Sequence, residues 1–525
     1  TTKPFFPIAY YLYNGDVGDI VHIQIQSKSY FGIVVDINIE CNYQLKIAEF
    51  TGFKVSINYI NFIIQFSSYN LICPTLILSS IIKKFSNNTK TKNIKQDISL
   101  PDIILNNDQE HVVDLFKQNE PNIFLLWGIT GSGKTETFFK IASHILSKKQ
   151  QILLIVPEII LSESIGIRFK KLFNCDPIIW HSKSNNKSKF MSIYNGSVQF
   201  IIGTRSALFL PFHNLGLIII DEEHDKIHKQ NNTPIYNCRD MAVLLGKISN
   251  INVILSTATP SLETYYNVLS GEYKLLELNK RYSGNLPNIT LTRTLEILPK
   301  STIVACMESL NKGEQIIVFF NRRGFANFVR CTECNSNLIC KQCECNIVWH
   351  RSSNKFMCHK CNKIYIFDQC PECGIENKIA CEGYGVEKIA YILKKEFPQY
   401  NVEVLSSDIC NSNEKIQDFL QRMNEKKINI IVGTQMITKG LDFSGVNLVI
   451  VINFDQNGFD FRLSETTFQN LLQISGRAGR KDSQSQVIIQ TNKIENPILT
   501  YFINNDYKGF ILNELKNREL YKLPP

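Results

Sequence analysis

Residues 128–135 read Gly-Ile-Thr-Gly-Ser-Gly-Lys-Thr, which fits the phosphate-binding pattern G-x-x-x-x-G-K-[S/T]. The loop follows an apolar, strand-like run at 123–127 and opens a segment, Lys134 to about Leu146, whose apolar residues recur at helical spacing. Glycines let backbone amides converge on phosphate, and the helix N-terminus adds partial positive charge. The stretch therefore predicts a nucleotide site on an α/β fold.

The residues of this loop have separate expected tasks. We expect Lys134 to reach the β- and γ-phosphates of ATP, and the Thr135 hydroxyl to bind Mg²⁺. The other loop residues expected to contact the nucleotide are Gly128, Thr130, Gly131, Ser132 and Gly133.

A second apolar run, at 217–220, ends in Asp221-Glu222-Glu223-His224. We expect Asp221 to hold the Mg²⁺, directly or through water, and Glu222 to orient and deprotonate the attacking water. Acids at a strand end are often only a solvated cluster, but a phosphate loop needs a metal-binding carboxylate. His224 reads equally well as a surface residue or as a relay between two sites.

Two later segments carry groups suited to phosphate chemistry or to coupling. In the stretch 473–480, Arg477 and Arg480 fall three apart on one helical face, and planar guanidinium groups fit phosphate oxygens. We expect Gln473 and both arginines to be catalytic, although a basic helix end is the simpler reading. Residues 256–261, Ser-Thr-Ala-Thr-Pro-Ser, are expected to couple phosphate state to lobe movement; alone they are a polar turn.

Polar loops follow two other strand-like runs, at 203–206 (Gly-Thr-Arg-Ser) and at 433–442 (Gly-Thr-Gln-Met-Ile-Thr-Lys-Gly-Leu-Asp). Such loops can grip a nucleic acid through its sugar–phosphate backbone. Either loop seen by itself is also compatible with an ordinary α/β connection.

The composition is that of a multidomain globular chain, with 525 residues, 44% hydrophobic and 20% charged. The 57 Lys and Arg against 48 Asp and Glu suit a polyanionic partner without demanding one. No apolar run reaches the roughly 18 residues of a membrane helix, and no secretory signal is visible. We therefore expect no membrane contact and a cytoplasmic location.

Strand-like and helical segments alternate over about 100–275 and again over about 315–490. This alternation predicts βαβ units, so the expected fold class is α/β with two parallel-sheet lobes. Residues 1–75 contain short alternating runs that predict a small β-rich barrel or sandwich. Residues 83–97 are polar and basic and predict a linker.

Four C-x-x-C pairs interrupt the second lobe, and each can give two thiolates to one tetrahedral ion. Without an export signal, eight paired cysteines predict two structural Zn²⁺ sites rather than disulfides. The four pairs can be divided between two sites in three ways. The expected ligands are Cys331, Cys334, Cys340, Cys343, Cys358, Cys361, Cys370 and Cys373. Cys345 and Cys381 belong to no C-x-x-C pair and are not expected to bind metal. Trp349 is a candidate contact for displaced single-stranded DNA.

The order of the motifs resembles superfamily 2 helicases, which have two RecA-like lobes, and more narrowly the PriA family of primosomal replication-restart helicases. The segments that carry the resemblance, within residues 101–525, are GITGSGKTET, LLIVPEIILS, GTRSALFLPF, DEEH, STATPS, FFNRRGFA, GTQMITKGLDF and QISGRAGR.

The resemblance implies ATP-dependent 3′-to-5′ unwinding at stalled or collapsed replication forks, followed by primosome assembly. It implies forked and single-stranded DNA, single-stranded-DNA-binding protein and helicase-loading proteins as partners, and a nucleoid-associated monomer. It also implies nested zinc sites, 331/334/370/373 and 340/343/358/361, and an adenine contact for Gln109, which otherwise reads as a surface residue.

Three departures from the family qualify these expectations. The winged helix that follows the family's 3′-end-binding domain is expected to be lost or vestigial, since only about 25 mostly polar residues separate the β region from lobe one. In the family, an aromatic-rich loop couples DNA binding to ATP hydrolysis. The corresponding segment here keeps Tyr236 and Arg239 but few aromatic residues, so we expect looser coupling between DNA and hydrolysis. The family's Gly-Thr-Glu motif becomes Gly-Tyr-Gly-Val-Glu at 383–387, so Glu387 receives no role.

These expectations divide the chain into seven parts. They are a β-rich 3′-end-binding-like domain at 1–75, a linker at 76–100, lobe one at 101–275, the start of lobe two at 276–327, a zinc-binding insert at 328–380, the rest of lobe two at 381–495 and a tail at 496–525. Two alternatives remain open, namely a fork-remodelling double-stranded DNA translocase that does not unwind and a non-catalytic primosome scaffold.

Overall fold

The computed structural model describes residues 11–25, 28–37, 46–85, 94–181, 186–281, 287–320, 328–350, 355–406, 413–437, 445–455, 460–479 and 485–525. The chain forms two compact units, Thr1–Lys280 and Arg281–Pro525. None of the helices in these ranges has both the length and the apolar character needed to cross a membrane.

The first unit begins with a three-stranded antiparallel sheet in the order β2-β1-β3. Its elements are β1 (Asp19–Ile25), β2 (Lys28–Ile33), β3 (Glu49–Lys54), α1 (Ile57–Tyr69) and α2 (Thr75–Ile82). The predicted β-rich region therefore ends at Lys54 rather than near 75. Tyr59, Phe62 and Phe66 are buried at helical spacing, and the Ser56 hydroxyl caps α1 by accepting from the backbone of Tyr59.

Lobe one is a seven-stranded parallel sheet in the order β12-β4-β11-β8-β5-β7-β6, as the sequence predicts. Its strands, together with the short pair β9 and β10, are β4 (Ile123–Gly128), β5 (Gln151–Ile155), β6 (Ile178–Trp180), β7 (Phe200–Gly203), β8 (Leu215–Asp221), β9 (Lys229–Gln230), β10 (Tyr236–Asn237), β11 (Asn252–Thr257) and β12 (Lys274–Leu278). Its helices are α3 (Asn107–Gln118), α4 (Lys134–Ser147), α5 (Ile159–Phe173), α6 (Lys187–Tyr194), α7 (Cys238–Ser249) and α8 (Leu262–Leu269).

The second unit contains a six-stranded parallel sheet in the order β13-β23-β22-β14-β21-β20. The strands of this unit are β13 (Asn288–Arg293), β14 (Gln315–Phe319), β15 (Phe328–Cys331), β16 (Val348–His350), β17 (Lys355–Met357), β18 (Ile364–Tyr365), β19 (Ile379–Glu382), β20 (Val402–Leu405), β21 (Ile430–Gly433), β22 (Val446–Val451) and β23 (Gln486–Thr491). Its helices are α9 (Lys300–Asn311), α10 (Val386–Glu396), α11 (Asn413–Asn424), α12 (Leu463–Ser475), α13 (Pro497–Ile503) and α14 (Tyr507–Leu520).

The cysteine-rich insert leaves and rejoins lobe two through β15 and β19, which pair in antiparallel fashion. Inside it, β16, β17 and β18 form a small antiparallel sheet. Strands β16 and β17 pair in antiparallel fashion, and residues 351–354 between them lie outside the described residues. In the described part of the insert, the fully buried core consists of four cysteines and three apolar residues, Val329, Leu338 and Ile347, with partly buried thiols and aromatic residues packed around them.

A buried glutamine fixes the connections around β5 in lobe one. The Gln151 side-chain amide donates to the carbonyls of Ile193 and Val198 at 2.9 and 2.7 Å. Its side-chain oxygen accepts from the backbone of His213 and Asn214 at 2.7 and 3.0 Å. One side chain thus satisfies four backbone groups that are shielded from water.

Replacing Gln151 by Leu is expected to lower the free energy of unfolding of lobe one by about 3 kcal/mol, because the four backbone groups lose their partners. Denaturant unfolding followed by tryptophan fluorescence measures this change. Gln65→Leu, at an exposed position of α1, is the matched control. Equal unfolding midpoints for the two variants would contradict the assignment.

Candidate functional site

The phosphate loop joins β4 to α4 and closes around one lysine. The Lys134 ammonium donates to the Gly128 carbonyl at 2.7 Å. Gly131 and Gly133 have φ angles of 82° and 80°, a backbone region that favours glycine. A Cβ atom on Gly128 would stand 2.4 Å from the Ser132 hydroxyl oxygen, so the loop tolerates no side chain there. The geometry suits backbone binding of phosphate.

Gln109 lies beneath this loop and is 2% exposed, so the surface reading is wrong. Its side-chain oxygen accepts from the Asn106 backbone at 2.9 Å within a capping box at the start of α3. Its amide nitrogen donates to the Ser132 carbonyl at 3.0 Å. Gln109 therefore supports the phosphate loop, and its adenine contact stays a prediction.

Asp221 ends β8, and the parallel arrangement of β8 and β4 puts it at the same sheet edge as the phosphate loop. Burial, followed by the neighbouring Glu222 carboxylate, raises the pKa of Asp221 to about 7, while the Lys134 ammonium acts in the opposite direction. Glu222 has a φ of 48°, which is rare for a residue with a side chain. Both acids have the oxygen donors that Mg²⁺ prefers.

His224 joins the acidic segment to the segment 256–261. Its side chain is 6% exposed, and its Nδ1 lies 2.7 Å from the Thr257 hydroxyl. The same hydroxyl oxygen accepts from the Thr259 backbone at 3.0 Å. The relay interpretation of His224 thus has a physical contact, whereas the surface interpretation does not.

Glu223, to which the sequence assigned no role, is the most heavily bonded carboxylate of the site. Its side chain is fully buried and accepts from the Ser261 backbone at 2.7 Å, the Ser261 hydroxyl at 3.0 Å and the Thr264 hydroxyl at 2.8 Å. Arg239 of α7 donates to it at 3.1 Å. No local signal distinguishes Glu223 from its neighbours, because its partners lie 16 to 41 residues away.

The segment after Glu223, expected to couple DNA binding to hydrolysis only loosely, is attached to lobe one near its start, at residues 227–229. The Arg205 guanidinium donates to the Ile227 and Lys229 carbonyls at 2.7 and 3.1 Å. His228 is buried, and its Nε2 lies 3.0 Å from the Asp221 carbonyl. A carbonyl only accepts, so Nε2 carries the proton. Arg205, a candidate DNA contact, thus connects its loop to the segment that follows the acids.

In lobe two, Gln473 lies on α12 and Arg477 follows that helix with 7% exposure. Arg480 lies outside the described residues, as do positions 438–444 of the second polar loop. Gly433, the first residue of that loop, packs tightly against β20. A Cβ atom on Gly433 would stand 2.6 Å from the Leu405 carbonyl oxygen.

The eight paired cysteines form two separate groups, in each of which all Sγ atoms lie within 4.8 Å of one another. The groups are Cys331, Cys334, Cys370 and Cys373, and Cys340, Cys343, Cys358 and Cys361. They match the nested division that the family resemblance implies.

The spacing of the thiols fits zinc. Two thiolates bound to one tetrahedral Zn²⁺ at about 2.3 Å each lie about 3.8 Å apart. The observed Sγ separations are 3.7 Å for Cys331–Cys373, Cys334–Cys370 and Cys340–Cys361. A hydrogen bond from the Tyr365 hydroxyl lowers the pKa of Cys340 to about 6, which favours the metal-binding thiolate.

The remaining residues singled out in the insert have structural contacts. The Cys345 thiol donates to the Cys343 carbonyl at 3.2 Å and belongs to neither group. Cys381 lies in β19 and is also outside both groups. Trp349 packs against the insert core, which occupies part of the ring that was a candidate DNA contact.

Comparisons with known proteins match both lobes of the chain. A profile of the DEAD/DEAH box helicase family matches residues 106–268, and a profile of the helicase conserved C-terminal domain matches residues 359–482. The replication restart protein PriA of Rickettsia prowazekii is 37% identical over 99% of this chain and 84% of its own length. The PriA proteins of Rickettsia conorii and Chlamydia pneumoniae are 37% and 36% identical, over 97% and 80% of this chain and 82% and 59% of their own lengths.

His224→Ala and Thr257→Val are each expected to lower the DNA-stimulated kcat for ATP about tenfold, because both remove the same hydrogen bond. The double variant should lose no more than either single variant, since the two effects are coupled. Steady-state ATPase assays on the wild type and the three variants complete this double-mutant cycle. A double variant that loses about a hundredfold would show independent roles.

Zinc content tests the division of the cysteines. Cys340→Ala is expected to remove one of the two ions, and adding Cys361→Ala should remove no more, because both thiols belong to one group. Adding Cys370→Ala to Cys340→Ala should remove both ions. Elemental analysis of the purified chains gives the count. Loss of both ions from the Cys340/Cys361 pair would indicate a different division.

Proposed function

The chain belongs to the PriA family of replication restart proteins, and from this membership we propose that it unwinds DNA in the 3′-to-5′ direction at stalled or collapsed replication forks and starts primosome assembly there. Its two helicase regions make it an ATP-dependent DNA helicase, and therefore a hydrolase that uses ATP and Mg²⁺.

The observation that carries the proposal is the shared sheet edge of lobe one. Lys134 at the start of α4 and Asp221 at the end of β8 lie close enough for the charge of Lys134 to affect Asp221. We assign Lys134 to the β- and γ-phosphates, Thr135 and Asp221 to Mg²⁺, and Glu222 to the attacking water. A bound Mg²⁺ would neutralise charge that develops on the transferring phosphoryl group.

The same proposal covers lobe two and the remaining loop residues. We assign catalytic roles to Gln473, Arg477 and Arg480 of lobe two, because planar guanidinium groups suit phosphoryl oxygens. Gly128, Thr130, Gly131, Ser132 and Gly133 would enclose the phosphates, and Gln109 would contact adenine.

The insert, about residues 328–380, is proposed to hold two structural Zn²⁺ ions in its two thiol groups. All four positions of each ion would then be taken by thiolates, which leaves no site for a reacting water. The insert buries little apolar surface, so metal binding would provide much of its folding free energy.

The proposed partners are forked DNA, single-stranded DNA, single-stranded-DNA-binding protein and the proteins that reload the replicative helicase. The proposed 3′-end-binding region is the sheet β1–β3. Its following helix α1 contacts lobe one directly, since the Tyr59 hydroxyl donates to the Phe209 carbonyl at 2.8 Å.

ATPase and strand-displacement assays on forked DNA with either a 3′ or a 5′ single-stranded tail test the proposal. DNA should stimulate hydrolysis, and displacement should require the 3′ tail. Lys134→Ala should lower both activities about a hundredfold or more, because an electrostatic contact to the reacting phosphates is lost. Lys148→Ala, an exposed lysine directly after α4, is the control.

The alternatives predict different results in the same assays. Hydrolysis that rises with DNA but separates no strands would indicate the double-stranded DNA translocase. Hydrolysis that does not rise with DNA would contradict the motor and favour the scaffold.

A further inference from the structure

Three polar side chains connect the cysteine-rich insert to helix α10 of lobe two. His350 ends β16 and is 4% exposed, and its Nδ1 lies 2.9 Å from a carboxylate oxygen of Glu387. The Nε2 atom of His350 lies 2.9 Å from Nε2 of His359. His359 stands between Cys358 and Cys361, so this chain of contacts runs from the helix into the inner thiol group.

The distances identify hydrogen bonds and not a third metal site. Two imidazole nitrogens bound to one tetrahedral Zn²⁺ at about 2.0–2.1 Å would stand about 3.3 Å apart. An ionised Glu387 only accepts, so Nδ1 of His350 is the donor. In the neutral imidazole, Nε2 then accepts, and His359 donates from its own Nε2. These hydrogen-bond directions are those of a neutral His350 beside an ionised Glu387.

The location of Glu387 makes it a firm anchor. It lies in the first turn of α10, where the partial positive charge of a helix N-terminus favours a carboxylate. The buried face of α10 carries Val386, Ile389 and Leu393, and the helix packs against β20 and β21. A bond to Glu387 is thus a bond to the core of lobe two.

The insert needs such an anchor, because the chain enters and leaves it through the short strands β15 and β19. Successive residues of a strand point to opposite faces, so His350 faces α10 while Trp349 faces away, toward the insert core. The hairpin is therefore fastened to lobe two on one side and to the thiol-rich core on the other.

We propose that Glu387, His350 and His359 form a positioning relay that fixes the inner zinc site on helix α10, so that the insert moves with lobe two as one body while DNA strands separate. The proposal rests on the helicase function proposed above. It gives Glu387 the role that the altered Gly-Thr-Glu motif left unassigned.

Glu387→Ala tests the relay, with Glu396→Ala, an exposed acid at the end of the same helix, as its matched control. Backbone amides of 346–357 should exchange with deuterium about tenfold faster in Glu387→Ala, because one charge-assisted hydrogen bond is lost. Strand displacement should fall about fivefold or more, with zinc content and DNA-stimulated hydrolysis unchanged. Results that match Glu396→Ala in both exchange and displacement would overturn the relay, as would loss of zinc.

Two further variants separate a relay from general loss of packing. Glu387→Gln keeps an oxygen that accepts from His350 and should stay near wild type; a variant as impaired as Glu387→Ala would contradict a hydrogen-bonded relay. His350→Leu should act like Glu387→Ala, and the double variant should lose no more than either, whereas additive losses would overturn the proposal.

A spectroscopic readout is independent of helicase activity. In a ¹⁵N-histidine-labelled chain, His350 should show a protonated Nδ1 and an unprotonated Nε2, and the Nδ1 proton should lose its strong hydrogen bond in Glu387→Ala. The opposite tautomer in the wild type would overturn the relay. If the wild type failed to separate strands, the helicase proposal would fail, while the exchange and tautomer results would still decide the relay.

Discussion

The site depends on one constraint, that parallel strands bring their carboxyl ends to the same edge of a sheet. In lobe one, β4, β11 and β8 are neighbours in that order. The phosphate loop, the acids and the segment at 256–261 each begin where one of these strands ends, so residues more than 120 positions apart share one edge. Without the parallel arrangement, the loop would hold phosphate but would have no carboxylate beside it.

The buried Glu223 carboxylate holds the elements at this sheet edge in fixed positions. Burying an ionised acid is costly unless hydrogen bonds and a counter-charge compensate it. Here Ser261, Thr264 and Arg239 do so, and they belong to the start of α8 and to α7. Two helices are therefore held against the end of β8, and His228 adds a third contact through the Asp221 carbonyl. A displacement of either helix would shift the neighbouring residues proposed to bind Mg²⁺ and water.

The sequence predicts the two lobes well, because strands buried on both faces form unbroken apolar runs such as Leu217–Ile220 that end in functional loops. It failed at 57–69, which was predicted as part of the β-rich region although the buried aromatic residues repeat at helical spacing. It missed two contacts between residues far apart in the sequence. Ser261 and Glu223 are 38 residues apart, and His350 and Glu387 are 37 residues apart. Local sequence patterns do not indicate contacts between residues so far apart in the chain.

The antiparallel pair β15 and β19 has a consequence for how the chain is assembled. Phe328 is directly opposite Glu382, and neighbours in such a pair stand about 5 Å apart, so the two ends of the insert meet side by side. The sheet of lobe two contains neither strand. A short turn in place of residues 329–381 would close the same gap without rerouting any strand of that sheet. The insert is therefore a separable module, which could be lost, exchanged or transplanted in evolution while the motor fold beneath it persists.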